Sequence, residues 1–512
     1  MNHDLTAEER EKFMKWPCNV VEKLEFRNLT DCFEQVILLK SKIERYKTLL
    51  PGKLYKLVID ADESVFSLLR LMIPRADRSR GQYGLAVKKI AKIYISNLGL
   101  SGLDADRLEK YTTPSVFAGC TGVVAGDFSS ALAFVLKYRT IDHKDTSKRR
   151  LTIHDINNKL NELESVSKQD DFKEIFNYLL QHCSAKEQKW FIRILLQDLK
   201  IGVKEDGLLA YLHPDAKDMY NMCRELSLVC GVLRNPNKIH TPTLSPMLPC
   251  CPMLAAKSRT WKDVVAWISK SLNGGNRFCF EEKLDGHRIL LHKKGDEIKI
   301  FSRRGLDHTD KYIQFFKKFA NENILVDECI LDGELVVWDN REKRISEFQS
   351  NMKSLFDHYL KVPGDIELNE MTRNGVLTTD YSEMWPSYSI FDILYVGSST
   401  SDGHNHEGNT NTSTTSSFMS LNRNHMRSTN SLPNGTLLAF TLLERKKVLK
   451  KVIKPVLNLF YLTPYTILEK SFTDTPKILA NQLKDELDKI VALRKEGLML
   501  KATETTYVLG ER

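Results

Sequence analysis

The chain has 512 residues, 42% of them hydrophobic and 28% charged. That is too long for a single core and apolar enough to fold as about three ordinary globular domains. The 75 Lys+Arg against 66 Asp+Glu leave a net charge of +9, an excess that admits a polyanionic partner without requiring one. The opening MNHDLTAEEREKF lacks an apolar signal core and no apolar run is long enough to span a bilayer. The ten cysteines show neither a C-x-x-C pair nor a zinc-type Cys–His spacing. Secreted, membrane-spanning and zinc-module classes are therefore set aside for an intracellular protein with reduced thiols.

Up to residue 235 the hydrophobic period is helical. Phe33, Val36, Leu39, Ile43, Tyr46 and Leu50 recur at steps of three and four, which predicts one helix stopped by Pro51-Gly52. Val87, Ile90, Ala91 and Tyr94 form the inward stripe of another, with Lys88 and Lys92 outward. Ser184-x-x-Glu187 reads as a capping box opening a helix that Gly202 closes. On it Lys186, Lys189, Arg193, Gln197 and Lys200 share a face. Such a stripe is either a solvated surface or a phosphate-tracking one, and composition leaves both open.

Residues 236–256 are proline-rich and read as a connector between a helical domain (1–235) and a second domain (257–512). There the period changes to two. His287 to His292 and Glu297 to Ser302 form a hairpin around KKGD, Ile330 to Trp338 and Tyr388 to Val396 are further strands, and Pro476 to Lys495 is helical. This half is mixed α and β. The segment 397–436 is Ser, Thr, Asn and Gly with few apolar residues, so it reads as a disordered insertion. Its His404-x-His406 reads as loop histidines, not a metal pair, and its Asn411 and Asn434 sequons carry no weight without a signal peptide.

The chemistry-bearing strings come in one order: KLDG-x-R from Lys283 to Arg288, FSRRG at Phe301, LDGE at Leu331, FDIL at Phe391 and EGLMLK at Glu496. A lysine nucleophile has to be neutral, whereas a free lysine is about one part in a thousand neutral near pH 7. Neighbouring cations or a metal can release its lone pair. Separated acids can hold Mg²⁺ or sugar hydroxyls, an aromatic can stack on a base, and cations can neutralise phosphates. Taken singly, each string has a bland reading, a surface lysine before an Asp-Gly turn or a core phenylalanine; the ordered set is what points to nucleotidyl transfer.

These strings, with MIPRADRSRGQYGLAVKKIAKIY, EQKWFIRILLQDLKIGV and PMLAA upstream, resemble the ATP-dependent DNA ligases of the covalent nucleotidyltransferase superfamily, and within it the end-joining subgroup. The resemblance implies an all-α N-terminal DNA-binding domain followed by an α+β nucleotidyltransferase (ATP-grasp-like adenylation) domain. It implies that Lys283 attacks the α-phosphorus of ATP, that Glu281 and Leu284 contact the nucleotide and that Phe391 stacks on adenine. Arg288 and Glu334 would hold ribose, Arg303 the sugar-phosphate region and Lys501 the α-phosphate, with Glu334 and Glu496 placing Mg²⁺. Lys88, Lys92, Lys186, Lys189, Arg193 and Lys200 would grip duplex phosphates. Nuclear residence and a role in double-strand break repair follow from the same resemblance; the clusters Lys148-Arg149-Arg150 and Arg445-Lys446-Lys447 are too weak a signal to establish a nuclear address. His287 stands where the family has an acid. The chain is expected to be a fragment ending before the oligonucleotide-binding-fold domain and the region that grips a coiled-coil scaffold partner. That keeps open a non-catalytic DNA-binding fragment, with RNA ligase and capping guanylyltransferase as further alternatives that the long helical half disfavours.

Overall fold

A computed structural model of the chain describes residues 20, 23–50, 52–60, 63–81, 83–123, 125–141, 150–166, 169–233, 244–271, 277–346, 384–397, 435–469, 476–493 and 495–511. It divides into two compact units, one of residues 1–220 with 224–242 and one of 221–223 with 243–512.

Every described element of the first unit is helical, apart from an isolated bridge between Glu25 and Thr152. The first hydrophobic run is two helices: α1 (Phe26–Leu38) ends where Leu39 turns extended, and Ser41 caps α2 (Lys42–Leu49) by accepting from the Glu44 N–H. Unbroken three-four spacing concealed that cap. In α3 (Val87–Leu98), Ile90, Ala91 and Tyr94 are buried, Val87 is half-buried, and Lys88 and Lys92 are exposed, as expected. The capping box at Ser184 and Glu187 opens α4 (Ala185–Leu195). This helix stops seven residues before Gly202, because Gln197 and Lys200 both take left-handed φ (56° and 55°). Gln197 and Lys200 therefore leave the predicted helical face.

The second unit holds two sheets. The smaller runs in the order β10 (Gly497–Ala502), β1 (Arg277–Lys283), β9 (Tyr465–Glu469). The larger runs β3 (Glu297–Ser302), β2 (His287–Lys294), β4 (Glu328–Asp339), β6 (Met384–Gly397), β7 (Gly435–Thr436); β5 (Arg344–Ile345) pairs β4, and β8 (Phe460–Leu462) pairs β6 in parallel. The β2–β3 hairpin turns through Gly295 at φ 57°. One face of the small sheet packs Phe278 and Phe280 against α5 (Trp261–Ser271) and α8 (Pro476–Ala492), through Ile268, Leu479 and Leu483. Because strand residues alternate, Cys279, Glu281 and Lys283 occupy the opposite face. The larger sheet buries Ile289, Leu291, Leu331 and Tyr388 against α6 (Thr309–Asn323) and α7 (Leu442–Val452). Its other face carries Leu290, Ile330 and Leu394 against Cys250, Tyr507 and Leu509.

Most of the proposed insertion, 398–434, lies outside the described residues, as do His404, His406, Asn411, Asn434, Lys148 and Arg149. Gly397, Gly435 and Thr436, assigned to the insertion from composition, are instead strand residues, Gly435 pairing Val396. Cys32, Cys120, Cys183, Cys279 and Cys329 are free thiols, and among the described residues no helix is long and apolar enough to cross a membrane.

Candidate active site

Lys283 ends β1 opposite Gly497, and its ammonium is ion-paired to Glu496 one residue before β10. The Asp285-Gly286 step that follows is not a left-handed turn. A Cβ on Gly286 would stand 2.5 Å from the Leu335 carbonyl and 2.7 Å from Glu334 Cγ. Glycine is needed there because the chain after the lysine lies directly against β4. Gly333 is equally constrained: a Cβ there would stand 2.6 Å from the Ser389 carbonyl and from the Tyr388 ring. The glycines of KLDG and LDGE thus serve one purpose, close stacking of strands that carry the site acids.

Asp332 is fully buried and takes Arg288 bidentately, Nε to Oδ1 at 3.0 Å and Nη2 to Oδ2 at 2.7 Å. The Tyr507 hydroxyl donates to Asp332 Oδ2 at 2.6 Å and accepts from the Met253 N–H at 2.9 Å. Burial opposes the guanidinium charge, but Asp332 outweighs it and holds the Arg288 pKa above its ordinary value. Burial pushes Glu334, the register partner of Arg288, up to about 8, with Arg288 pulling the other way. A carboxyl protonated near neutrality donates a hydrogen bond, and holds a cation only after losing its proton.

Phe391 reaches the site through a bulge. Asp332 pairs Asp392 and Gly333 pairs Ile390, so Phe391 is the extra residue of β6. A bulge re-aims a side chain, and Arg288 and Lys501 lie 5.3 and 4.8 Å from the Phe391 ring centroid. Glu281 is buried, with Lys446 on one oxygen and Lys501 on the other at 2.5 Å. Asp392 accepts from Arg445 at 2.7 and 3.0 Å; burial resists its charge, yet the guanidinium keeps its pKa below the ordinary value.

Glu281, Lys283, Arg288, Glu334, Phe391, Glu496 and Lys501 are thus gathered in one region. Leu284 is half-buried just past β1, and Arg303 is exposed in the turn after β3, outside this network. His287 faces Tyr312, its ring nitrogen 3.2 Å from the hydroxyl, with its pKa lowered by burial and nearby Lys311. Asp332, Lys446, Arg445 and Tyr507 were not foreseen as site residues. A visible signal was an acid within an apolar strand in CILDGELVV; the basic triplet at 445–447, weighed as a nuclear address, buries two of its three cations.

In the first unit Lys186 pairs Asp31 at 2.5 Å and Lys189 pairs Glu34. Arg193 is buried and bonds Asp127 at 2.7 Å, with Lys200 3.4 Å from the same carboxylate. Burial opposes the Asp127 charge, but hydrogen bonds from Ser130 and Arg193 bring it down to about 2.

Residues 252–512, just over half of the chain, match the model of the ATP dependent DNA ligase domain, and residues 25–213 match that of the DNA ligase N terminus. The chain belongs to the ATP-dependent DNA ligase family. It is 31% identical to DNA ligase 4 of Arabidopsis thaliana over 456 residues, 87% of this chain and 32% of that protein. Against DNA ligase 4 of Homo sapiens it is 26% identical over 517 residues, 96% of this chain and 48% of that one. This ligase-family chain therefore spans about a third to a half of those relatives' length. The solved chain named Pmar-Lig_Pre is 16% identical with a TM-score of 0.39, over 84% of this chain and 76% of that one.

Proposed function

We propose that the second unit forms a covalent lysyl-AMP at Lys283 from ATP, as the first step of sealing DNA strand breaks, and that the protein acts in double-strand break end joining in the nucleus. The observation that carries this is the single gathering of Lys283, a paired acid, a cation-faced aromatic and Arg288, all within a chain of ligase-family sequence. In the step, the Lys283 Nζ lone pair forms a P–N bond to the α-phosphorus while the α–β P–O bond breaks and pyrophosphate leaves. AMP then moves to a 5′-phosphate, and the neighbouring 3′-hydroxyl displaces it to close the strand.

Such transfer depends on in-line placement and charge neutralisation more than on acid–base machinery. The Lys283–Glu496 pair has to open, and Lys283 to lose a proton, before the amine can attack. Arg288, locked by Asp332, supplies fixed positive charge, and Lys501 a second, less restrained cation. Phe391 offers a ring face for the base, and Glu334 in its protonated form can donate to a sugar oxygen. Glu496 and Glu334 are the carboxylates suited to Mg²⁺. Among the described residues there is no cluster of three or more His, Cys, Asp or Glu arranged for a metal, and two carboxylates fit an ion that completes its shell with phosphates and water. When bound it would neutralise phosphate charge. The exposed Lys88 and Lys92 are proposed to face duplex phosphates; Lys186, Lys189 and Lys200 would have to leave Asp31, Glu34 and Asp127 to join them, and Arg193 is buried on Asp127. A coiled-coil scaffold is the proposed protein partner.

The test is incubation of the 512-residue chain with α-labelled ATP and Mg²⁺, followed by denaturation. Label is expected on the wild type and absent from Lys283→Arg, whose side chain stays protonated with its fold unchanged by circular dichroism. Label on the arginine variant would remove Lys283 as nucleophile. Absence of label from both, with salt-sensitive DNA binding retained, would favour a non-catalytic DNA-binding module.

A further inference from the structure

Glu281 stands midway between two lysines on one face of the small sheet. Lys501 is the register partner of Cys279 and Lys283 lies four residues further along β1, about 13 Å at the rise of a strand. A lysine placed to serve a phosphate beside Lys283 has to reach past Glu281, and in this structure it does not. Lys501 Nζ donates to Glu281 Oε2 at 2.5 Å and lies 4.8 Å from the Phe391 ring centroid.

The two lysines on Glu281 differ in freedom. Lys446 is only 3% exposed, its ammonium lies 4.8 Å from the Tyr465 ring centroid, and it sits on α7 next to Arg445, which clamps Asp392. The Lys501 side chain is 22% exposed. Lys446 is therefore the standing counter-ion of Glu281, and Lys501 the displaceable one. Lys501 also holds both surfaces that a nucleobase would use, a carboxylate oxygen for an exocyclic amine and the neighbourhood of an aromatic ring.

We propose that Lys501 is a base-gated specificity residue: it is parked on Glu281 and Phe391 in the nucleotide-free protein, and is released toward the phosphates only by a base that brings its own donor to Glu281. This rests on the nucleotidyl-transfer reading above. A carboxylate only accepts. In one and the same pose the adenine amine can take the place of Lys501, whereas guanine sets O6, an acceptor, at that point and carries its N1–H and N2 donors further along the edge. Lys446 keeps the carboxylate neutralised and oriented when Lys501 leaves. Base identity is then read twice, once as contact with Glu281 and once as availability of Lys501.

The test needs no turnover. The 512-residue chain is treated with an amine-acylating reagent, and modification of Lys501 is read by mass spectrometry with adenosine, with guanosine, or with neither. Adenosine offers the base but no phosphate to receive the lysine. It is expected to raise Lys501 acylation by about tenfold, the worth of one charge-assisted hydrogen bond, while guanosine leaves it unchanged. Glu281→Gln is expected to start high and ignore adenosine. Lys446→Met, which leaves Lys501 as the sole counter-ion, is expected to shrink the response, and Lys446→Arg to retain it. Protection or no change with adenosine, in a chain that still takes label from ATP at Lys283, would overturn the gating while leaving the site reading intact. No response to adenosine together with no label at Lys283 would remove the site reading, and the gating with it.

Discussion

Glu334 is a site acid whose chemistry departs from its type. Its carboxyl is pushed up to about 8 by burial, so between its ordinary pKa of 4.5 and 8 the folded chain binds a proton that the unfolded chain has released. Stability linked to this group is accordingly present at low pH, declines as pH rises through that window, and is flat on either side. Glu334→Gln is expected to remove the decline: in urea titrations between pH 5 and 8 the wild type loses unfolding free energy more steeply, by up to about 1.4 kcal/mol per pH unit. Equal slopes would mean that Glu334 is already ionised in the fold. The same proton competes with any cation at this carboxylate. Asp332, two residues away on β4, has both oxygens engaged, by Arg288 and by Tyr507.

At the scale of elements, bulges and close approaches decide which side chains meet. Tyr388, Ile390, Ile393 and Val396 all pack in the α6–α7 core, a spacing that plain alternation forbids and that two register shifts against β4 permit. The extra residue at Phe391 lets Ile390 and Ile393 both keep the core face while its own ring lies beside Arg288 and Lys501. Gly286 is the matching device just before β2. Its substitution by alanine forces Leu335 and Glu334 to move, and overpacking of this kind costs about 1–3 kcal/mol. Thermal unfolding is expected to report a loss of that size for Gly286→Ala, whereas Gly295→Asn in the hairpin turn, where left-handed φ is needed but no atom lies near, should cost less. Equal losses would show that backbone conformation, not strand approach, sets the requirement at Gly286.

Across the whole molecule, the net charge of +9 is modest and its distribution matters more than its size. Lys88 and Lys92 are exposed on α3, whereas Lys186, Lys189, Arg193 and Lys200 already hold carboxylates. A cation with an acidic partner releases fewer counter-ions on meeting a phosphate than a solvated one. If α3 faces duplex DNA, Lys88→Ala and Lys92→Ala should each lower the slope of log affinity against log salt by about one, measured by fluorescence anisotropy on a nicked duplex. Lys186→Ala should change the slope less. Unchanged slopes for both α3 variants would place the DNA contact elsewhere.

By itself the sequence determined the helical first half and the β-rich second, the β2–β3 hairpin, the capping box at Ser184 and the ordered strings that carry the family. These are legible because capping, turn chemistry and the periods of 3.6 and 2 are local properties of a few adjacent residues. Local signals failed where a break kept the period, as at Leu39, or where left-handed residues ended a helix early, as at Gln197. Tertiary structure alone decided that Lys446 and Arg445 belong with Glu281 and Asp392, that Tyr507 closes on Asp332, and that Phe391 bulges toward the site. Each of these pairs partners far apart in sequence. Their pairing is set by strand register and by the cost of burying an unpaired charge, which no single segment records.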